Sequence, residues 1–328
     1  MNRFALRGDE KLPIDGELQK VIDGMLGAGL SSLYENATPE EARERGRRAR
    51  RDFYPPVLQD VFSVIQSYAV TPDRDIPIRT YRPLNAVEGS MPTVVYFHGG
   101  GWIIGDLDSH DGHARRICST LGAVVVNVDY RLAPEHPFPA GYDDCVAATR
   151  WVFEHIDDLG GDVSKVAVAG DSAGGNLAAA VAFSFKDAPH KLAGQLLIYP
   201  GVDLVGMGNL ADAEVDSTLT GKPGDTYIRD QYLPDPSVAF DPRVSPLRAI
   251  SHEDLAPAVI GVAEFDMLRT EGVAYAKALE KAGVYVTLRE FDGMIHGFFG
   301  MGGVSAAAEA AADLLTRDLG AILKVANS

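Results

Sequence analysis

Lys165-Val166-Ala167-Val168-Ala169-Gly170-Asp171-Ser172-Ala173-Gly174-Gly175-Asn176-Leu177-Ala178 changes character partway along its length. It opens as an apolar run with β-branched valines, bends through small residues and continues as an alanine-rich helix former. The spacing predicts a strand, a tight turn and a helix, with Gly-x-Ser-x-Gly at the bend. Such a turn lifts a serine oxygen clear of the backbone, and the chain on either side packs too closely for side chains, which is what glycine permits. Ser172 also opens a helix, where free N–H groups and the dipole favour negative charge. The competing reading is an ordinary strand-to-helix turn.

Outward from this stretch, short runs rich in valine and isoleucine recur at 93–97, 123–128, 166–169, 195–199 and 258–263, with a more alternating strand at 284–291. Helical patterns separate most of them, at about 109–121, 141–157, 173–186 and 270–282, with a last helix at about 304–324. This alternation predicts a parallel sheet covered on both faces. Ahead of it, 61–70 and 76–82 read as a hairpin, so the expected sheet has eight strands with the first pair antiparallel. Residues 1–54 contain helical signals and no strand. Thr38-Pro39 starts a charged helix there that should lie on the surface. Between 199 and 258 the rhythm breaks in a stretch rich in Gly, Asp and Pro. Connections this long are usually functional. The expected organisation is therefore an N-terminal part of a cap in 1–54, a catalytic domain in 55–328, and a cap insertion at about 201–242.

The chain has 328 residues, 46% hydrophobic, and a formal net charge of −16. This acidity disfavours nucleic acid and anionic membrane as partners. Cys118 and Cys145 lack metal-ligand spacing and read as packed thiols. Met1-Asn2-Arg3-Phe4-Ala5 leads into charged residues with no apolar run, and no stretch reaches the length of a membrane span. The expectation is a cytoplasmic protein without a bound metal or cofactor.

A serine nucleophile needs a base and a carboxylate to hold that base. His296 follows the last predicted strand, and Asp266 follows the one before. The order Ser172, Asp266, His296 is the one this topology requires. His110, His113, His136, His155, His190 and His252 read as surface or packing residues. The strand at 93–97 ends in His98-Gly99-Gly100-Gly101-Trp102. Its bare N–H groups, with that of Ala173, are candidate donors to an oxyanion. A phosphate loop is the alternative, but no Gly-Lys-Ser/Thr accompanies the glycines. His98 reads as an orienting residue. Trp102, Tyr199, Phe298 and Phe299 are candidates to line a substrate pocket or simply to pack.

His98-Gly99-Gly100-Gly101, Asp129-Tyr130-Arg131-Leu132-Ala133-Pro134-Glu135, Gly170-Asp171-Ser172-Ala173-Gly174-Gly175 and Gly293-Met294-Ile295-His296-Gly297-Phe298 occur in the order seen in the hormone-sensitive-lipase family of α/β-hydrolases. The chain resembles that family over about 93–300, in its subgroup with Asp before the nucleophile. The resemblance implies an α/β-hydrolase fold with a helical cap, hydrolysis of small-molecule esters with short acyl chains, no cofactor and frequent homodimers. It maps the oxyanion donors to Gly100, Gly101 and Ala173, with Gly99 a close neighbour. Two stretches depart from it. Asp266-Met267-Leu268-Arg269 lacks the family's proline, and 201–242 matches the cap poorly. A non-catalytic receptor on the same fold, an amidase, a peptidase and a lipase are the rival readings. His296, present in a full motif, weighs against the receptor.

Overall fold

The structure is a computed structural model that describes residues 13–87, 89–205 and 222–325. Among them, eight strands form one sheet: β1 (Ser63–Val70), β2 (Asp75–Arg82), β3 (Met91–Phe97), β4 (Val124–Val128), β5 (Gly161–Asp171), β6 (Gly194–Ile198), β7 (Ala258–Phe265) and β8 (Val286–Ile295). Their order is β1-β2-β4-β3-β5-β6-β7-β8. β2 runs against both its neighbours, and the strands from β4 to β8 pair in parallel. The runs without polar alternation are the ones buried on both faces, as β4 and β6 show along their whole length. The outer β1 is mostly exposed and polar-interrupted.

Helices α3 (Asp111–Leu121) and α8 (Ala306–Val325) pack on one another against one face. α4 (Ala140–Glu154) and α5 (Ala173–Ser184) do so against the other, and α7 (Arg269–Lys281) lies on β7. Among the described residues no helix is long and apolar enough to cross a membrane.

Before the sheet come α1 (Gly16–Gly27) and α2 (Pro39–Phe53). α2 starts as its sequence requires: Pro39 occupies the first turn, the Thr38 hydroxyl accepts from Glu41 N–H, and the Glu41 carboxylate accepts from Thr38 N–H. Such a cap contributes about 1 kcal/mol. The helix is less superficial than its charge suggests. Ala42, Gly46 and Ala49 are buried, and Arg43 reaches the Ile103 carbonyl and pairs with Glu135 at 2.7 Å, which fastens α2 to the body of the sheet. Within the expected insertion, α6 (Lys222–Tyr232) is followed by short helical turns at Pro236–Phe240 and Pro246–Arg248. The part of that expectation at 206–221 lies outside the described residues.

Two strands outrun their apolar cores. β5 begins at Gly161, and β8 continues through Gly293, where a left-handed φ of 72° lets the chain bend and shift register against β7 before delivering His296.

Candidate active site

β5 ends at Asp171 and α5 starts at Ala173, so Ser172 makes the entire turn. Its φ of 54° is left-handed, an uncommon state for a residue with a side chain and a typical device for projecting a nucleophile. The surroundings fix it. Ser172 N–H donates to the Ile198 carbonyl at 2.8 Å. A Cβ on Gly174 would stand 2.0 Å from the Phe97 carbonyl, and one on Gly170 would stand 2.2 Å from the Gly174 carbonyl. The glycines of the motif are thus required by close backbone approach.

Asp266 and His296 emerge from the ends of β7 and β8 and converge on this turn. His296 Nδ1 lies 2.8 Å from Asp266 Oδ2, and His296 Nε2 lies 3.0 Å from Ser172 Oγ. Asp266 is buried, and its other oxygen accepts from Leu268 N–H at 2.9 Å, so the turn holds the carboxylate without the family's proline. The chain Asp266–His296–Ser172 can carry a proton from the hydroxyl to the imidazole, with the carboxylate fixing the tautomer.

The glycine loop after β3 supplies donors beside Ser172. Among the described residues the N–H groups of Gly100 and Gly101 have no acceptor, and Ala173, as the first helical residue, has no acceptor within its helix. Gly99 departs from the sequence expectation. Its N–H donates to Asp171 Oδ1 at 2.9 Å, so it is not a third free donor; it anchors the loop instead. Gly100, with φ 120°, passes so close to Ile104 that a Cβ would stand 2.2 Å from the Ile104 carbonyl.

His98 lies beneath the loop, fully buried. Its Nδ1 faces the Gly99 carbonyl at 2.8 Å, and its ring stacks on Tyr130 at 4.3 Å, whose hydroxyl donates to the His98 carbonyl at 2.6 Å. Burial, reinforced by His110, pushes its pKa down to about 3. It stays neutral and orients the loop.

Two cavities meet at Ser172. The larger, about 120 Å³, is lined by Tyr199, His296 and Phe299 from the sheet side and by Tyr34, Tyr54 and Ile228 from the segments flanking it. The smaller, about 30 Å³, is lined by Trp102, Ala173, Leu204 and Glu271. Phe298 reaches neither; it is fully buried beneath, edge-on to Tyr199 at 5.3 Å. The sequence reading missed the polar end of the larger cavity, formed by Arg50, His110, His113 and Asp171. The i, i+3 spacing of the two histidines at the start of α3 was the available signal, since it puts both on one face. Ligand atoms of His110, His113 and Asp171 lie within 4.8 Å of one another. The cluster is poorly suited to a cation. Arg50 Nη2 stands 3.4 Å from His110 Nε2, and Asp171 Oδ1 is already taken by Tyr96 and Gly99.

A family model described as the alpha/beta hydrolase fold matches residues 94–300. A relative named carboxylic ester hydrolase LipN, from Mycobacterium tuberculosis, is 45% identical over 246 residues, which is 72% of this chain; the match spans 65% of that relative's length. Esterase LipI from the same organism is 39% identical over 307 residues, 92% of each chain. Among solved structures, a hyperthermophilic esterase from the archaeon Pyrobaculum calidifontis superposes with a TM-score of 0.86 at 33% identity, covering 94% of this chain and 99% of the other. The strand order, the serine turn and these matches agree, and the chain belongs to the α/β-hydrolase fold family.

Proposed function

We propose that this protein is a serine carboxylesterase that hydrolyses small esters of short to medium acyl chains through an acyl-enzyme. The observation that carries the reading is the hydrogen-bonded chain from Asp266 through His296 to Ser172, set beside the free N–H groups of Gly100 and Gly101. In the proposed cycle Ser172 Oγ attacks the ester carbonyl while His296 Nε2 takes its proton. The tetrahedral oxyanion is held by the N–H groups of Gly100, Gly101 and Ala173. His296 then gives the proton to the departing alcohol, leaving Ser172 acylated. A water repeats the sequence, with His296 again as base, and releases the acid. Asp266 orients the imidazole and stabilises its charged form.

The names of the relatives support ester hydrolysis, and the modest volume of the two cavities supports short chains. Residues 1–54 and about 201–242 would act as a cap over a catalytic domain formed by the remainder of 55–328. Tyr34 and Tyr54 on one side and Ile228 on the other line the larger cavity, which supports that division.

The test is turnover of p-nitrophenyl esters from acetate to palmitate by the wild type and by Ser172→Ala. The expected result is a maximum at short chains and a loss of kcat on the order of a million-fold in the variant. A loss below tenfold would remove Ser172 from this role. A wild type that is folded but inert on every ester would remove the esterase reading.

A further inference from the structure

The arginines of α2 divide into two kinds. Arg43 pairs with Glu135, Arg47 with Glu40 and Glu44, Arg48 and Arg51 with Asp52, while Arg45 donates to the carbonyls of Ser32 and Glu35. Arg50 is different. It turns inward, half-buried, and lies between the cavity that holds Ser172 and His296 and a second cavity lined by Gly46, Gly105 and Ser109. Among the described residues no carboxylate lies within ion-pair distance of it; its one hydrogen-bond neighbour is His110 Nε2 at 3.4 Å. Its place in the last turn of α2 suits the helix dipole wherever the side chain points, so the dipole does not explain the inward turn.

The groups around it do not use up its charge. His110 Nδ1 faces Ser109 Oγ at 2.9 Å, and that hydroxyl already donates to the Asp106 carbonyl, so Nδ1 must carry the proton. His110 Nε2 stands 3.4 Å from Arg50 Nη2 and 3.5 Å from Asp171 Oδ1. His113, whose pKa burial and His110 hold well below the usual range, adds a neutral polar edge. Asp171 is satisfied by the Tyr96 hydroxyl at 2.5 Å and Gly99 N–H. The other arginine lining this cavity, Arg116, is consumed by Glu309 and by Asp313 at 2.7 Å. A guanidinium has five donors, and among the described residues Arg50 has one hydrogen-bond neighbour for them, His110 Nε2. Enclosing such a group without an anionic partner is costly unless a partner arrives.

We propose that Arg50 forms a subsite for a carboxylate carried on the substrate away from the scissile ester bond, so that the larger cavity takes half-esters and other acid-bearing esters. The inference rests on the esterase reading above. It deepens that reading by naming a substrate class that neither the net negative charge nor an apolar pocket would favour.

The test uses two matched ester pairs with the wild-type protein, Arg50→Met and Arg50→Lys. On the acyl side, mono-p-nitrophenyl adipate is compared with p-nitrophenyl hexanoate. On the alcohol side, 4-acetoxyphenylacetate is compared with 4-ethylphenyl acetate. For at least one pair, Arg50→Met should lower the ratio of kcat/KM, acid ester over neutral ester, by about 10- to 100-fold, mostly through KM, as expected for a lost charge-assisted hydrogen bond. Arg50→Lys should keep a large part of the ratio. Should Arg50→Met fail to fold, Arg50→Gln gives the same comparison with a polar side chain. A shift below about fivefold in both pairs, with neutral esters still hydrolysed, overturns the subsite and leaves the esterase reading standing. A wild type inert on all four esters takes both down.

Discussion

Asp171 and Glu271 line the two cavities that meet at Ser172, and the protein holds their carboxyl groups in opposite states. Burial works against the charge of Asp171, yet His110 beside it and the donated Tyr96 hydroxyl bring its pKa far below the ordinary carboxylate value. Glu271 is set deep, with a sliver of exposure through the small cavity. Its Oε1 accepts from Val202 N–H at 2.6 Å and Asp203 N–H at 3.2 Å, and among the described residues no cation pairs with it. Burial pushes its pKa up to about 8 against the pull of those two N–H groups. Burial is common to both; what separates them is the set of partners. At Asp171 the hydroxyl, the N–H and His110 outweigh burial, whereas at Glu271 burial outweighs the two backbone N–H groups.

The difference can be broken first at Asp171. Asp171→Ala strands two buried donors, the Tyr96 hydroxyl and Gly99 N–H, each worth about 1–3 kcal/mol when left unpaired. Urea denaturation should show a loss of about 3 kcal/mol. Turnover of short esters should fall on the order of a hundred-fold, because the loop bearing Gly100 and Gly101 loses its anchor. An unchanged turnover would mean that the loop is held by Ile104 and His98 alone. Tyr96→Phe removes one of the partners and spares Gly99. It should cost about 1–2 kcal/mol by the same melts and change kcat less than about threefold. A loss as large as that of Asp171→Ala would make the hydroxyl, rather than the loop N–H, the main support of the charge.

The parts of this arrangement that were legible in the sequence are those fixed by chain order. Ser172, Asp266 and His296 each follow a strand whose apolar run is plain, and a parallel sheet brings the ends of such strands to one edge. The strand count and the antiparallel opening pair were legible for the same reason. What was hidden depends on contacts across the fold. Arg50 sits in a helix so rich in charge that its pattern alone placed the whole helix on the surface. Gly99 looked like an oxyanion donor because it resembles its two neighbours. Only the pairing of β3 with β5 brings Asp171 against it, and that pairing spends its N–H. His110 and His113 read as bland because nothing local shows that α3 begins against the floor of the cavity.

The smallest effect sharpens the comparison most directly. Glu271 holds its proton more tightly in the folded chain than at its ordinary value of 4.5. Its contribution to stability is therefore complete below about pH 4.5 and declines as pH rises toward 8, because the folded state must either keep a proton the unfolded state has given up or enclose a charge. Asp203 adds to the decline by repulsion, although Arg248 neutralises part of its charge at 2.7 Å. Glu271→Gln retains an oxygen that can accept from Val202 and Asp203 but does not titrate. Thermal melts of both proteins should therefore diverge with pH. At pH 5 the wild type should match or exceed the variant, and by pH 8.5 it should have lost on the order of 3 °C relative to it. A difference in melting temperature that stays constant from pH 5 to 8.5 would show that Glu271 ionises normally. In that case water in the small cavity, rather than the protein, sets its state, and the contrast with Asp171 reduces to solvent access.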